Sequence, residues 1–208
     1  MFSTTHEQKH SDCSFCYYKH QKLDCNPCKY LDDISLLKKV DYFQFYCLPH
    51  SYDIDMTSLN QHYKQYQKFI HPDKFQLAAD DLLENSNELS SFANNAYFTL
   101  INEVSRAIYL LRIKGVKVLD EDHQMDDMDF MEIIFSIRME IDQSDSIDKL
   151  QELYGQVNSE YQKRVSSLSQ LFKENRNDEI KQNIEEIQYL DKIMEEISQK
   201  EVHLKSQE

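Results

Sequence analysis

An all-α protein is the fold class this sequence predicts, on three observations. Glycine occurs twice and proline three times in 208 residues, too few for an all-β domain, whose tight turns rely on them. Apolar residues recur at steps of three and four over long stretches, the period of a helix face rather than a strand. In the C-terminal half the connections between these stretches are short, as between antiparallel helices. The length allows one or two domains.

Net charge is −14, which argues against nucleic acid and anionic lipid as partners, since both are bound by clustered Lys and Arg. The charge is uneven. Residues 120–148 hold eleven acids against one Arg, whereas residues 56–72 hold Lys64, Lys68 and His62 and no acid. No run of about 18 apolar residues predicts a membrane span. The opening "MFSTTHEQKHSD" shows neither a secretory apolar stretch nor the Arg of a transit peptide.

Residues 1–40 come first, as a small cysteine module followed by the bridge "LDDISLLKKV". "CSFC" (Cys13, Cys16) and "CNPC" (Cys25, Cys28) are two CxxC pairs. Each tight turn aims two thiolates at one ion, and two turns complete a closed tetrahedral shell that suits structural zinc. An iron–sulfur cluster uses the same donors, and disulfides or redox thiols are further alternatives. Cys47, on an apolar stretch, is expected to be a buried free thiol.

Residues 41–115 form the second region. "DYFQFYCL" precedes a helix whose face is Leu59, Tyr63, Tyr66 and Ile70, with Thr57 or Ser58 as its N-cap. Lys64 and Lys68 stack one turn apart on a neighbouring face. Pro72 disfavours helical geometry at His71 and stops this helix. A single long helix follows, through Phe92, Ala96, Leu100, Val104, Ala107 and Leu111, with Gly115 as its stop.

Residues 116–208 read as a three-helix bundle. Its stripes are Phe130, Ile134, Ile137 and Ile141; then Leu150, Val157, Tyr161, Leu168 and Leu171; then Ile180, Ile184, Ile187, Met194 and Ile197. Met131 and Phe135 fall off the first stripe, so that helix has a second apolar strip. Left exposed, such a strip marks a partner site.

His71-Pro72-Asp73, taken bare, is weak evidence: a His beside a carboxylate serves as a general base or simply ends a helix. No nucleophile or Gly-rich phosphate loop accompanies it. Its setting is more specific. "DYFQFYCLP", "TSLNQHYKQYQKFIHPDKF" and "NELSSFANNAYFTLINEVSRAIYLLRIKG" resemble the helices and His-Pro-Asp loop of a J domain. With "NNAYFTL", "SRAIYLLRIKG", the C-terminal bundle and the preceding CxxC pairs, the chain resembles the HscB family over about residues 13–200. These are J-domain co-chaperones of iron–sulfur cluster biogenesis, and eukaryotic members have such N-terminal CxxC pairs.

The resemblance implies a protein with no active site of its own. A DnaK-type chaperone ATPase would be contacted through His71, Pro72, Asp73, Lys64, Lys68 and Lys74. An IscU-type iron–sulfur scaffold protein would dock on the C-terminal bundle through Met131, Ile134, Phe135, Arg138 and Tyr189. Zinc would be held by Cys13, Cys16, Cys25 and Cys28. The chain departs from its relatives at Glu132, usually apolar, and Ile133, usually acidic. The family is mostly mitochondrial in eukaryotes, so the matrix is the implied compartment, with the cytoplasm as alternative. A general J-domain co-chaperone without a scaffold site is the rival function. A zinc-ribbon nucleic-acid binder conflicts with the charge, and a thiol redox enzyme would need a βαβ setting that is not visible.

Overall fold

A computed structural model describes residues 27–117 and 127–206. They contain helices and no strand, as the sequence predicts. The chain divides into two compact units, Met1–Asn102 and Glu103–Glu208.

In the first unit a short α1 (Pro27–Asp32) and a 3-10 turn (Ile34–Lys39) precede α2 (Tyr42–Phe45). Asp41 caps α2 in a reciprocal capping box with Gln44, which satisfies two otherwise orphaned amides. The helix closes as a Schellman motif: Leu48 N–H donates to Phe43 and Cys47 N–H to Gln44. Cys47 occupies the left-handed position, φ 55°. It is half-buried and disulfide-bonded, which corrects the expectation of a buried free thiol. That position turns its side chain off the helix while Leu48 packs inward.

Helix α3 (Met56–Ile70) buries Leu59, Tyr66 and Ile70, with Tyr63 half-buried. Its N-cap is Asp55, not Thr57 or Ser58: the carboxylate accepts from both of their amides, at 2.9 and 3.2 Å, and from the Ser58 hydroxyl. These bonds, the Ser58 hydroxyl first, hold the Asp55 carboxyl below its ordinary pKa. A carboxylate caps with a full charge against the helix dipole, which a hydroxyl cannot.

Helix α4 (Asp80–Ile101) packs antiparallel on α3 through Leu89, Ala93, Ala96 and Leu100. Ala93 and Ala96 let the backbones approach. Phe45 fills the centre, with ring centroids 5.0 Å from Tyr46, Tyr66 and Phe92 in edge-on geometry. The Tyr46 hydroxyl donates to the Ala93 carbonyl at 2.7 Å, and that of Tyr66 to the Phe45 carbonyl at 3.0 Å. Burial pushes both phenols well above their ordinary pKa.

The expected single helix through Gly115 is two helices. α4 ends at Ile101, Asn102 is extended at φ −81° and ψ 125°, and α5 (Glu103–Ile113) begins again in the second unit. The apolar stripe runs on through Val104, Ala107 and Leu111, so periodicity alone does not show the break. Gly115 does end α5, at φ +74°, with Val116 N–H returning to Leu111.

In the second unit α6 (Met128–Gln143) and α5 pack on the long antiparallel pair α7 (Ile147–Lys173) and α8 (Asn177–Lys205). Phe130, Ile134 and Ile141 of α6 meet Leu150, Leu153 and Val157 of α7 and Leu190, Ile193, Met194 and Ile197 of α8. A polar cluster lies beside this core. Arg164 pairs with Glu160 and Glu186, and stacks over Phe130 at 5.2 Å. Burial works against the Arg164 charge, but the bonds from Glu186 and Glu160 outweigh it and raise its pKa. Asn183 donates to the Arg164 carbonyl and to Ser167. Buried polar groups satisfied in this way fix the register of α7 on α8.

Candidate functional site

Two surfaces come forward, one in each unit. The first is the corner after α3. Ile70 is buried and ends the helix, and His71 turns the chain at φ −59° and ψ 127°. Pro72 then opens a 3-10 turn, Pro72–Phe75, where its missing N–H costs nothing. His71 Nδ1 accepts from the Asp73 amide at 3.3 Å, and the Asp73 carboxylate lies 3.4 Å from the same nitrogen. The Lys74 amide donates to the His71 carbonyl at 3.0 Å. The Lys74 ammonium folds back onto the Lys68 carbonyl, an orphaned acceptor at the end of α3.

The corner therefore gathers Lys64, Lys68 and Lys74 on one exposed positive face beside His71 and Asp73, with Pro72 half-buried. All six residues predicted for this site are brought together. His62, counted with the basic residues in the sequence, is instead turned toward the Tyr46 carbonyl, 2.8 Å from Nδ1.

The corner rests on residues that the sequence reading missed. The buried Ser86 hydroxyl donates to the Ile70 carbonyl at 2.9 Å, tying the last turn of α3 to α4. The Asn94 side-chain carbonyl accepts from Tyr63 and from Gln67, and Tyr63 stacks on Tyr97 at 3.9 Å. A signal existed: Ser86 leads the series Ser86, Leu89, Ala93, Ala96, Leu100 at core spacing. A polar residue there needs a partner.

The second surface is α6. Ile134 is only 1 % exposed, so it belongs to the core and corrects its placement among partner contacts: it holds the helix down. Phe135, one residue on, is 67 % exposed. It lies on one face with exposed Met128 and Met139 and half-buried Met131, positions recurring at helical spacing. Glu132 stands at the edge of this strip, and Ile133, exposed, lies a further turn of about 100° round the helix, beside the core stripe. Arg138 is held by Glu196 of α8 in a two-point pair, Nε–Oε2 3.1 Å and Nη2–Oε1 2.8 Å. Half-buried Tyr189 packs edge-on to Phe130 at 6.4 Å. Met131, Phe135, Arg138 and Tyr189 thus stand where a partner could reach them. The sequence missed Met128 and Met139 as parts of the strip and Glu196 as the partner of Arg138.

Cys13, Cys16 and Cys25 lie outside the described residues, as does the side chain of Cys28. Among the described residues no helix is long and apolar enough to cross a membrane.

Comparison with known proteins bears on both surfaces. Residues 126–198 match the family model described as the HSCB C-terminal oligomerisation domain. The iron–sulfur cluster co-chaperone protein HscB homolog of Arabidopsis thaliana is 30 % identical over 90 % of this chain and 73 % of its own. The chain belongs to the HscB co-chaperone family. The human iron–sulfur cluster co-chaperone protein HscB is 27 % identical over 79 % of this chain and 70 % of its own. The crystal structure of human co-chaperone protein HscB superposes with a TM-score of 0.73 at 26 % identity, covering 77 % of this chain and 82 % of that one. The fold is that of HscB structures, a J domain followed by a C-terminal helical domain.

Proposed function

We propose that this co-chaperone binds an IscU-type iron–sulfur scaffold protein on α6 and delivers it to a DnaK-type chaperone, whose ATPase it stimulates. The observation that supports this reading most is the pairing of two unlike surfaces in one chain. One is a tied positive corner at His71-Pro72-Asp73; the other is an apolar strip on a helix that is already packed on its other side. A positive face on a chain of net charge −14 orients an acidic partner more than it adds affinity. An exposed apolar strip fits a protein partner that buries it. Delivery brings the bound scaffold within reach of the chaperone, which clamps it on ATP hydrolysis and promotes cluster transfer.

Single-turnover ATP hydrolysis by the chaperone, with this protein and with or without the scaffold, tests the reading. Synergy between the two is expected. Stimulation without synergy would leave a general J-domain co-chaperone, and no stimulation would defeat the proposal.

We also infer that Cys13, Cys16, Cys25 and Cys28 hold structural zinc, on the chemistry of four thiolates in two CxxC pairs. All four must be thiolates to bind, so zinc is expected to load fully only in reduced protein. Metal analysis of reduced chain and of Cys13→Ser checks this. The variant should lose zinc and keep the helicity of residues 41–205; iron in place of zinc would overturn the assignment.

A further inference from the structure

Four of the seven methionines fall within residues 125–139. Two of them, Met128 and Met139, are 76 % and 43 % exposed, on the same face of α6 as Phe135. Met194, by contrast, sits in the core at 8 % exposure. A thioether is open to oxidation in proportion to its access to solvent, and the product is a polar, chiral side chain. We propose that Met128 and Met139 form an oxidation site at which a peroxide closes the α6 face to its partner. The inference rests on the reading of α6 as the scaffold-docking face.

The chemistry balances with one co-reactant per sulfur. The thioether sulfur attacks a peroxide oxygen, the O–O bond breaks and an S–O bond forms. Sulfur is oxidised by two electrons, the peroxide is reduced by two, and hydrogen peroxide leaves as water.

The surroundings make the change consequential. A sulfoxide oxygen is a strong acceptor and needs a donor when a partner covers it. Glu132 and Asp142, which share this face, ionise to acceptors only, while Ser136 and Gln143, three residues before and four after Met139, are the nearby donors on α6. The nearby guanidinium, Arg138, already gives two bonds to Glu196. Met128 has Met131 and Glu132 one turn on and no donor there, so docking buries its sulfoxide without a partner from α6. Burying a polar group without a partner costs enough to lower affinity roughly tenfold or more.

The test uses the full chain. It is treated with dilute hydrogen peroxide, then with dithiothreitol to return cysteine disulfides and sulfenates to thiols, and titrated calorimetrically against the IscU-type scaffold. Peptide mass spectrometry locates the added oxygen. Met128 and Met139 should oxidise before Met194, affinity should fall by about tenfold or more, and methionine sulfoxide reductases A and B should restore it. Each chain is compared with its own unoxidised form. Whatever its starting affinity, Met128→Leu/Met139→Leu should then lose less than roughly twofold on oxidation, because the methionine that remains on the strip, Met131, is half-buried and less open to peroxide. Unchanged affinity in the oxidised parent, or an equal loss in the double variant, overturns the proposal. A chain that binds no scaffold before oxidation defeats the docking reading itself, and the order of oxidation still decides whether the two methionines are the reactive pair.

Discussion

The corner after α3 and the outer face of α6 are built on opposite principles. At the corner the residues are polar and exposed, and their positions are set by short-range bonds: Asp73 N–H to His71, Lys74 N–H to His71, Ser86 to Ile70. Among the described residues the α6 face has no comparable bonding at its centre. Phe135, Met128 and Met139 stand out because α6 has more apolar side chains than its core contact consumes. A site made of fixed polar groups depends on geometry and fails when one group changes. A site made of surplus apolar area degrades in proportion to the area removed.

His71→Gln is the sharpest way to break the comparison. Glutamine keeps the bulk and loses the ring nitrogen that accepts from Asp73, so stimulation of the chaperone should fall to its basal level while scaffold affinity stays unchanged. Full stimulation by this variant would remove the corner from the mechanism. Phe135→Ala should do the converse. Removing an exposed aromatic anchor from an interface should cost the scaffold roughly tenfold or more in affinity, with stimulation in the absence of scaffold unaffected. An unchanged titration would move the docking site off α6.

Ser86→Ala has a smaller effect and asks whether the corner's geometry is inherited from α4. It leaves the buried Ile70 carbonyl without this donor, at about 1–3 kcal/mol. Chemical denaturation should show that loss, and stimulation should weaken without vanishing. Serine at position 86 replaced by threonine, which keeps the hydroxyl, should restore most of the stimulation if the bond rather than the volume matters.

The sequence made the fold legible where one face of a helix has one job. Leu59, Tyr66 and Ile70, and the series Ile180, Ile184, Ile187, Met194 and Ile197, are buried as their spacing predicts. It was less legible where two structures satisfy the same pattern. The stripe through Leu100, Val104 and Ala107 is continuous, yet the backbone extends at Asn102. The corner residues were readable because a motif names them. On α6, periodicity separated Phe135 from the core stripe, but the resemblance also placed Ile134 among the contacts, and burial removes it. Asp55 as cap, the Arg138–Glu196 pair and the Cys47 disulfide depend on partners or backbone angles that a linear pattern does not encode.

The smallest effects come from the two glycines, and they test whether helix geometry in the second unit is understood. The same substitution should have opposite signs. Gly155 lies exposed inside α7, and a Cβ there meets nothing within 4 Å. Gly155→Ala should stabilise by about 0.4–1 kcal/mol, because alanine gives up less conformational freedom on entering a helix. Among the described residues a Cβ at Gly115 also meets nothing within 4 Å, but its φ of +74° closes α5. Gly115→Ala forces a side chain into the left-handed region and should destabilise by about 1–2 kcal/mol. Space is equal at the two positions, so only backbone angle can separate them. Calorimetric melting of the two variants should therefore move in opposite directions from the parent. A rise in both would mean that α5 does not close at Gly115 as described, whereas a fall in both would count against the gain expected at Gly155 alone.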